Sequence, residues 1–222
     1  MVAYNKLIEK GLVIMNNKKK SLIVLVLIIF FISIAFLSVN GHLDAFNTFV
    51  YRQVAKLIHP WLTAVLRIIT EVGDIYGIIS IIILLFIYPK SRRFGLPIGL
   101  AVLFSHLLNQ TLKAIFAIPR PNILRLVEIG GFGFPSGHAM NNTTLYFLFL
   151  FLFMKKDIAK KHVSFLFVFL SLWVFIIGFS RIYLGVHTAS DILAGWALGL
   201  CLALVAEMLY HFIETKQQTK EN

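Results

Sequence analysis

The run from Ser21 to Val39 contains 19 residues and no charged side chain, which is long enough to cross a lipid bilayer as a helix. Five more apolar stretches follow it, separated by short polar segments. Soluble domains have about a quarter of their residues charged, whereas 14% are charged in this chain. The sequence therefore predicts an all-α integral membrane protein, a single bundle of six transmembrane helices.

The predicted bundle occupies one domain at residues 21–212, preceded by an N-terminal segment at 1–20 and followed by a tail at 213–222. Its spans are placed at 21–39, 62–88, 94–118, 138–154, 163–179 and 189–212. The first span is longer than the apolar region of a signal peptide, and no small-x-small cleavage site follows it, so we interpret it as retained.

Two connecting segments and the tail have patterns of their own. Apolar residues recur at helical spacing at 43–58, which predicts an amphipathic helix on the membrane surface. The segment at 119–135 is rich in proline and glycine and predicts an irregular loop. The polar residues from 214 to the end are expected to be disordered.

Basic residues are concentrated on one side of the predicted bundle. Of the 21 lysines and arginines, five precede the first span, three lie at 89–93, four at 155–161 and two in the tail, which places 14 on the side of both termini. The positive-inside rule then predicts cytoplasmic termini. Contact with anionic headgroups accounts for the net charge of +11, so the charge is no reason to infer a nucleic-acid partner.

Three polar clusters fall at span ends on the opposite, outer side. They are Lys113 with Arg120-Pro121, then Pro135-Ser136-Gly137-His138, and then Ser180-Arg181 with His187 and Asp191. Because the spans alternate in direction, all three clusters are predicted to meet at one extracytoplasmic face. Charged side chains at a membrane boundary are costly, which favours a functional role for them.

The cations and the helix start in these clusters suit a phosphate group. Lys113, Arg120 and Arg181 together could hold a dianionic phosphate and balance the charge on its oxygens. Gly137 allows close approach to the free backbone N–H groups of a helix start. The hydroxyl of Ser136 can either cap that helix or donate to a phosphate oxygen.

The two histidines are candidates for the chemical steps. Asp191 follows His187 by four residues, so on one helical face its carboxylate could fix the tautomer of a nucleophilic imidazole. His138, at the first turn of its helix, could act as a general acid. These three residues could instead ligate zinc, but the three nearby cations favour an anion, and we expect no metal or other cofactor.

The three clusters match the signature K-x6-R-P, P-S-G-H and S-R-x5-H-x3-D at all eleven fixed positions. In this the chain resembles the type 2 phosphatidic acid phosphatase (PAP2) or lipid phosphate phosphatase superfamily. The resemblance implies that His187 attacks phosphorus to form a phosphohistidine, that Asp191 holds His187, and that His138 protonates the leaving alcohol and then activates water. It also implies a metal-free phosphate site formed by Lys113, Arg120, Ser136, Gly137 and Arg181. Soluble haloperoxidases share the motif but lack the membrane spans.

By this resemblance the chain is a membrane enzyme that hydrolyses a lipid phosphate monoester or diphosphate at the outer leaflet. Bacterial members of the family include phosphatidylglycerophosphate phosphatases and undecaprenyl diphosphate phosphatases, and we favour the first substrate, with the second as the alternative. A non-catalytic lipid-binding scaffold and a transporter are rivals from other classes. Neither a nucleic acid nor an obligate protein partner is inferred.

Other polar residues near the clusters support weaker hypotheses. Glu71 and Asp74 could line the mouth of the site or pair with Arg67, and the ion pair is the favoured interpretation. His106 and Asn109 share the helical face of Lys113, where they could support the site or form interhelical hydrogen bonds; we favour the hydrogen bonds.

Overall fold

The computed structural model describes residues 16–89, 91–154 and 160–221, and in this part the chain is all-α, as predicted. The described helices are α1 (Asn17–Val39), α2 (Asp44–Ala55), α3 (Pro60–Val72), α4 (Ile75–Ile87), α5 (Arg92–Phe116), α6 (Gly137–Met154), α7 (Lys160–Tyr183) and α8 (Ala189–Glu221). The predicted N-terminal segment as far as residue 15, Lys90 and the basic residues at 155–159 lie outside the described residues.

Four described helices, α1, α5, α7 and α8, are long and apolar enough to cross a membrane, and a fifth span results if α3 and α4 form one broken crossing. In α1 only 11% of the most apolar window is buried inside the protein. Its exposed apolar side chains, such as Leu22 and Val26, therefore face the lipid. The remaining predicted span corresponds to α6, whose first half is polar because it faces the centre of the bundle.

The predicted second span is not one continuous helix, because the chain breaks at Gly73 and Asp74 and α3 and α4 meet at a bend of 53°. A single helix over 62–88 would be longer than the roughly 20 residues that a bilayer needs. Beside the break, Thr70 is buried and Asp74 lines the cavity described below.

Helix α2 falls within the segment predicted to be an amphipathic helix. Its apolar face is buried through Val54, which packs with Leu66 and Ile182. The side chain of Asn47 exchanges two hydrogen bonds with Ser190, donating to its hydroxyl (2.9 Å) and accepting from its N–H (3.0 Å). These contacts attach α2 to the first turn of α8; its location at the membrane surface stays a prediction.

The centre of the bundle is the pair α6 and α8, which pack closely because small residues of α8 face α6. A Cβ at Gly195 would lie 2.7 Å from the carbonyl oxygen of Ser136, and one at Gly199 would lie 2.5 Å from that of Met140. This Gly-x3-Gly spacing allows two backbones to approach each other in a membrane protein. Helix α6 is therefore held where its first turn borders the predicted site.

The prediction of a disordered tail from residue 214 was wrong, because α8 continues to Glu221. The added residues are good helix formers without glycine or proline. The hydroxyls of Thr215 and Thr219 donate to carbonyls four residues earlier, at 2.9 and 3.0 Å. At this end of the bundle α8 also meets the start of α1, where Lys20 Nζ lies 2.5 Å from the buried carboxylate of Glu207.

Candidate active site

The three polar clusters meet at one end of the bundle, where α5 and α7 end and α6 and α8 begin. An open cavity of about 320 Å³ lies between them. Six of the eight predicted site residues line it, namely Lys113, Arg120, Gly137, His138, Arg181 and His187. The other two, Ser136 and Asp191, are 0% and 3% exposed and adjoin this wall from behind.

His187 and Asp191 are in contact, with Nδ1 of the imidazole 3.2 Å from Oδ2 of the carboxylate. The contact was predicted, but the reason given for it, a shared helical face, was wrong, because His187 lies in the turn before α8. Thr188 precedes the first residue of α8; its hydroxyl accepts from the N–H of Asp191 (3.3 Å), and Asp191 Oδ2 accepts from the N–H of Thr188 (2.8 Å). This reciprocal capping box holds the carboxylate against the ring.

The opposite ring nitrogen of His187 is directed at a cation. When Nδ1 donates to Asp191, Nε2 carries the lone pair, and Nη1 of Arg120 lies 3.2 Å from it. Burial lowers the pKa of His187 to about 4, against the opposing effect of its hydrogen bond with Asp191. The imidazole is therefore neutral at pH 7, and its Nε2 can act as a nucleophile or accept a proton.

Backbone carbonyls of the irregular loop between α5 and α6 position two of the three cations. Lys113 Nζ donates to the carbonyl of Phe132 (3.0 Å), and Arg120 Nε donates to that of Gly130 (3.0 Å). Arg120 Nη1 also donates to the carbonyl of Val186 (2.9 Å), and burial lowers the pKa of Arg120. Carbonyls of the predicted loop thus hold both Lys113 of α5 and Arg120 of the loop at the cavity.

Arg181, the third cation, is buried at the end of α7 with 2% exposure. Its Nη1 donates to the hydroxyl of Thr70 (2.7 Å), and its Nε has no hydrogen-bond partner among the described residues. Burying a guanidinium is costly unless an anion compensates it. Together with Lys113 and Arg120, Arg181 gives the cavity a cationic lining that suits an anion.

At the start of α6, Ser136 caps the helix and Gly137 lies close to Asn109 of α5. Ser136 precedes α6, and its hydroxyl accepts from the N–H of Ala139 (3.4 Å), which is the capping role of the two that were predicted. A Cβ at Gly137 would lie 2.9 Å from Oδ1 of Asn109, closer than real Cβ contacts come. Asn109 also donates to the carbonyl of Pro135 (3.1 Å). The predicted hydrogen bond of Asn109 is therefore present, and both Asn109 and His106 line the cavity.

His138, on the first turn of α6, lines the same cavity as His187, and 16% of its side chain is exposed. Its Nε2 is 3.8 Å from Oδ1 of Asp74, and the backbone of Thr70 adjoins the ring. Asn142, one turn later, donates to the carbonyls of Gly73 (2.7 Å) and His138 (2.8 Å). The bend between α3 and α4 is thereby attached to this histidine.

Thr70, Gly73 and Asn142 were missed in the sequence analysis. Their contribution depends on the break between α3 and α4, which a search for long apolar runs does not detect. The signal that could have found it is the pair Gly73-Asp74, since glycine often ends a helix and aspartate often begins one. The contacts of Asn142 come from packing between helices and leave no local sequence pattern.

A second cavity of about 540 Å³ adjoins the first at Arg181 and lies between α3 and the irregular loop. Arg67, Glu71 and Arg125 are among the residues that line it. The predicted ion pair between Arg67 and the carboxylates of this bend is replaced by another contact, because Arg67 Nη2 donates to the backbone carbonyl of Leu126. Glu71 and Asp74 separate, the first lining the second cavity and the second lining the site.

Comparisons of this chain with family models, with protein sequences and with solved structures agree on one family. A family model described as the PAP2 superfamily matches residues 94–216. Phosphatidylglycerophosphatase B of Bacillus subtilis is 30% identical over 178 residues, which cover 78% of this chain and 87% of that protein. An undecaprenyl-diphosphatase of Sulfolobus acidocaldarius is 24% identical over 183 residues, with 76% and 78% covered. The crystal structure of a transmembrane PAP2-type phosphatidylglycerolphosphate phosphatase from Bacillus subtilis superposes with a TM-score of 0.79 at 28% identity, covering 86% of this chain and 96% of that one.

Proposed function

This chain belongs to the PAP2 superfamily and is a membrane lipid phosphatase, and we propose that it hydrolyses phosphatidylglycerophosphate to phosphatidylglycerol through a covalent phosphohistidine. The observation that carries the mechanism is the contact of His187 Nδ1 with Asp191 at 3.2 Å, which leaves Nε2 beside Arg120 at the cavity. An oriented, neutral imidazole next to a cationic anion site is what attack on a phosphate requires.

In the first step the terminal phosphate of the lipid binds among Lys113, Arg120 and Arg181 and the backbone N–H groups at Gly137. Their three positive charges offset the two negative charges of a phosphate monoester. Arg120 transfers its Nη1 hydrogen bond from His187 to a phosphate oxygen, which frees Nε2 for attack. Ser136 keeps the helix start in place and can turn its hydroxyl to the bound phosphate.

The covalent step forms a bond between His187 Nε2 and phosphorus while the bond from phosphorus to the lipid oxygen breaks. His138 donates a proton to that leaving oxygen, which departs as an alcohol. Asp191 compensates the positive charge that develops on the ring of His187. His138 then takes a proton from water, the oxygen of which attacks phosphorus, and phosphate leaves as the bond to Nε2 breaks.

The topology that we propose has six spans, with cytoplasmic termini and an extracytoplasmic active site. It is supported by the 14 basic residues on the side of the termini and by the site's location at the other end of the bundle. Cysteines introduced at exposed Asn122 and Gln217 test it with a membrane-impermeant maleimide. Labelling of intact cells at 122 and not at 217 is expected, and the reverse pattern would contradict the topology.

The choice of phosphatidylglycerophosphate is supported by the greater similarity to phosphatidylglycerophosphatase B, and undecaprenyl diphosphate is the alternative because the undecaprenyl-diphosphatase is similar over a comparable length. A non-catalytic scaffold is disfavoured, since all eight predicted site residues are retained. The test is phosphate release by purified protein in detergent with excess EDTA, with each lipid run beside His187→Ala. We expect release that survives EDTA, is faster with phosphatidylglycerophosphate, and disappears in the variant. Release that needs a metal or persists in His187→Ala would contradict the mechanism.

A further inference from the structure

The bend between α3 and α4 places a carboxylate at the site. Asp74 is the residue that precedes α4, and its backbone is extended (φ −80°, ψ 171°). Aspartate at this position usually accepts a hydrogen bond from an N–H of the first turn, but the side chain of Asp74 makes no capping hydrogen bond. Its Oδ1 lies instead 3.8 Å from His138 Nε2, at the wall of the cavity. The carboxylate therefore faces the histidine and does not cap its own helix.

The bend is fixed relative to the site by three further contacts. Asn142 of α6 bridges the carbonyl of Gly73 and that of His138. The backbone of Thr70 adjoins the ring of His138, while the hydroxyl of Thr70 accepts from Arg181. A Cβ at Gly73 would come within 3.0 Å of Ile177, so α7 and the bend are in direct contact. Asp74 is thus held beside His138 by the fold.

The charges around His138 indicate a role for the carboxylate of Asp74. The groups that face the ring from other elements are Lys113 of α5, Arg181 of α7 and His187 from the turn before α8. Two of these are cations, so the surroundings of the ring carry positive charge. Asp74, from the bend, brings a negative charge within ion-pair distance of the ring. An opposite charge at about 4–6 Å favours the charged form of a titratable group.

We propose that Asp74 is a positioning residue for His138, which keeps its ring oriented and protonated for transfer of a proton to the leaving oxygen. This assignment rests on the proposed function. The site would then contain two carboxylate–imidazole pairs, Asp191 with the nucleophile and Asp74 with the acid. At 3.8 Å the second pair is longer than a hydrogen bond in the ligand-free chain, and contacts of this kind commonly tighten when substrate binds.

The test is the pH profile of kcat/KM for Asp74→Asn, measured on purified protein with phosphatidylglycerophosphate and undecaprenyl diphosphate. Removal of the negative charge makes His138 lose its proton at lower pH, so we expect the alkaline limb to move down by about one pH unit, the low end of the usual range because Asp74 is 42% exposed. At pH values above the limb, kcat should fall about tenfold with KM nearly unchanged. Asp74→Glu should restore most of the profile.

Asp44→Asn is the matched control, because it makes the same chemical change on α2, where Asp44 does not line the cavity. Its profile should equal that of the wild type. An unmoved alkaline limb in folded Asp74→Asn, with wild-type turnover intact, would overturn the assignment while leaving the proposed function standing. An equal loss of kcat/KM at every pH that Asp74→Glu does not restore would indicate a structural role for Asp74. That result would also overturn the assignment. No turnover by the wild type with either lipid would overturn the proposed function and this assignment together.

Discussion

Nη1 of Arg120 lies 3.2 Å from Nε2 of His187, the nitrogen that the proposed mechanism assigns to attack on phosphorus. The guanidinium therefore contacts the lone pair that the proposed reaction needs. The same Nη1 is also held by the carbonyl of Val186, so it stays near the phosphate position when it gives up the imidazole. In the proposed mechanism, phosphate binding and release of the nucleophile are therefore the same event.

Arg120→Lys should lower kcat/KM by about 10- to 100-fold, because an ammonium cannot reproduce a planar fork that spans the loop, the turn and the phosphate, and hydrogen bonds to charged groups contribute about 1.5–3 kcal/mol each. Inhibition by inorganic phosphate should weaken as well. Arg125→Lys is the control, since Arg125 lies in the same loop but donates to the carbonyl of Pro121. Wild-type kcat/KM in Arg120→Lys would rule out this role.

Asp191→Asn should lower kcat by about 10³-fold or more, because an amide no longer fixes the tautomer of His187 or compensates its developing charge. The amide oxygen can still accept from the N–H of Thr188, so the helix start should form. Thr188→Ala makes the reverse change, since it removes one hydrogen bond of the capping box and keeps the carboxylate. It should cost about 1 kcal/mol of stability and less than tenfold in kcat. Similar kcat values in the two variants would contradict the division of roles.

The depressed pKa of His187 predicts activity that persists into acid. With a pKa of about 4 instead of its ordinary 6.5, the ring keeps its lone pair down to about pH 4. The acid limb of kcat/KM assigned to the nucleophile should therefore lie near pH 4. A limb near pH 6.5 that is insensitive to substrate would contradict this assignment.

The same shift links stability to pH. Because the folded-state pKa of His187 is lowered, the unfolded chain binds more protons between about pH 4 and 6.5. The contribution of neutral His187 to stability is therefore complete above pH 6.5 and is lost as the pH falls toward 4. The Tm difference between wild type and His187→Gln should change over this window in that direction. A constant difference from pH 7 to pH 4 would argue against the burial of a neutral ring.

The arrangement of the site was largely predictable from the sequence, because four helices that alternate in direction bring Lys113, His138 and His187 to one end of the bundle. The spacing of the motif residues was sufficient for that inference. It also predicted the contact between His187 and Asp191 but not its geometry, which depends on the cap formed by Thr188 and not on a helical face. A spacing of four residues fits both a shared helical face and a capping box. Only the residue at which α8 begins distinguishes the two geometries.

The bend at Gly73 and Asp74 could not be predicted by hydropathy, which averages over about 20 residues and joins α3 and α4 into one apolar run. Its stability comes from partners distant in the chain, such as Asn142, which donates to the carbonyl of Gly73. The continuation of α8 beyond residue 214 was missed for the opposite reason, because polarity was taken as a sign of disorder although helix propensity is high there. Both errors concern local backbone geometry within a correctly predicted helical class.

The buried pair of Lys20 and Glu207 provides a test of the bundle that is independent of the chemistry. Both side chains are no more than 4% exposed, and the pair joins the first turn of α1 to the second half of α8. Lys20→Met leaves the carboxylate buried without its cation, with His211 as a weaker neighbour at 3.4 Å, so we expect a loss of about 3–5 kcal/mol in stability.

The double variant Lys20→Met with Glu207→Met removes both charges and should recover most of that loss, since a well-packed apolar pair can replace a buried ion pair. Thermal unfolding of the single and double variants in detergent measures the coupling, and kcat of the folded fraction should be unchanged because the pair lies at the end of the bundle opposite the site. Additive losses in the double variant would mean that the two side chains stabilise the bundle separately.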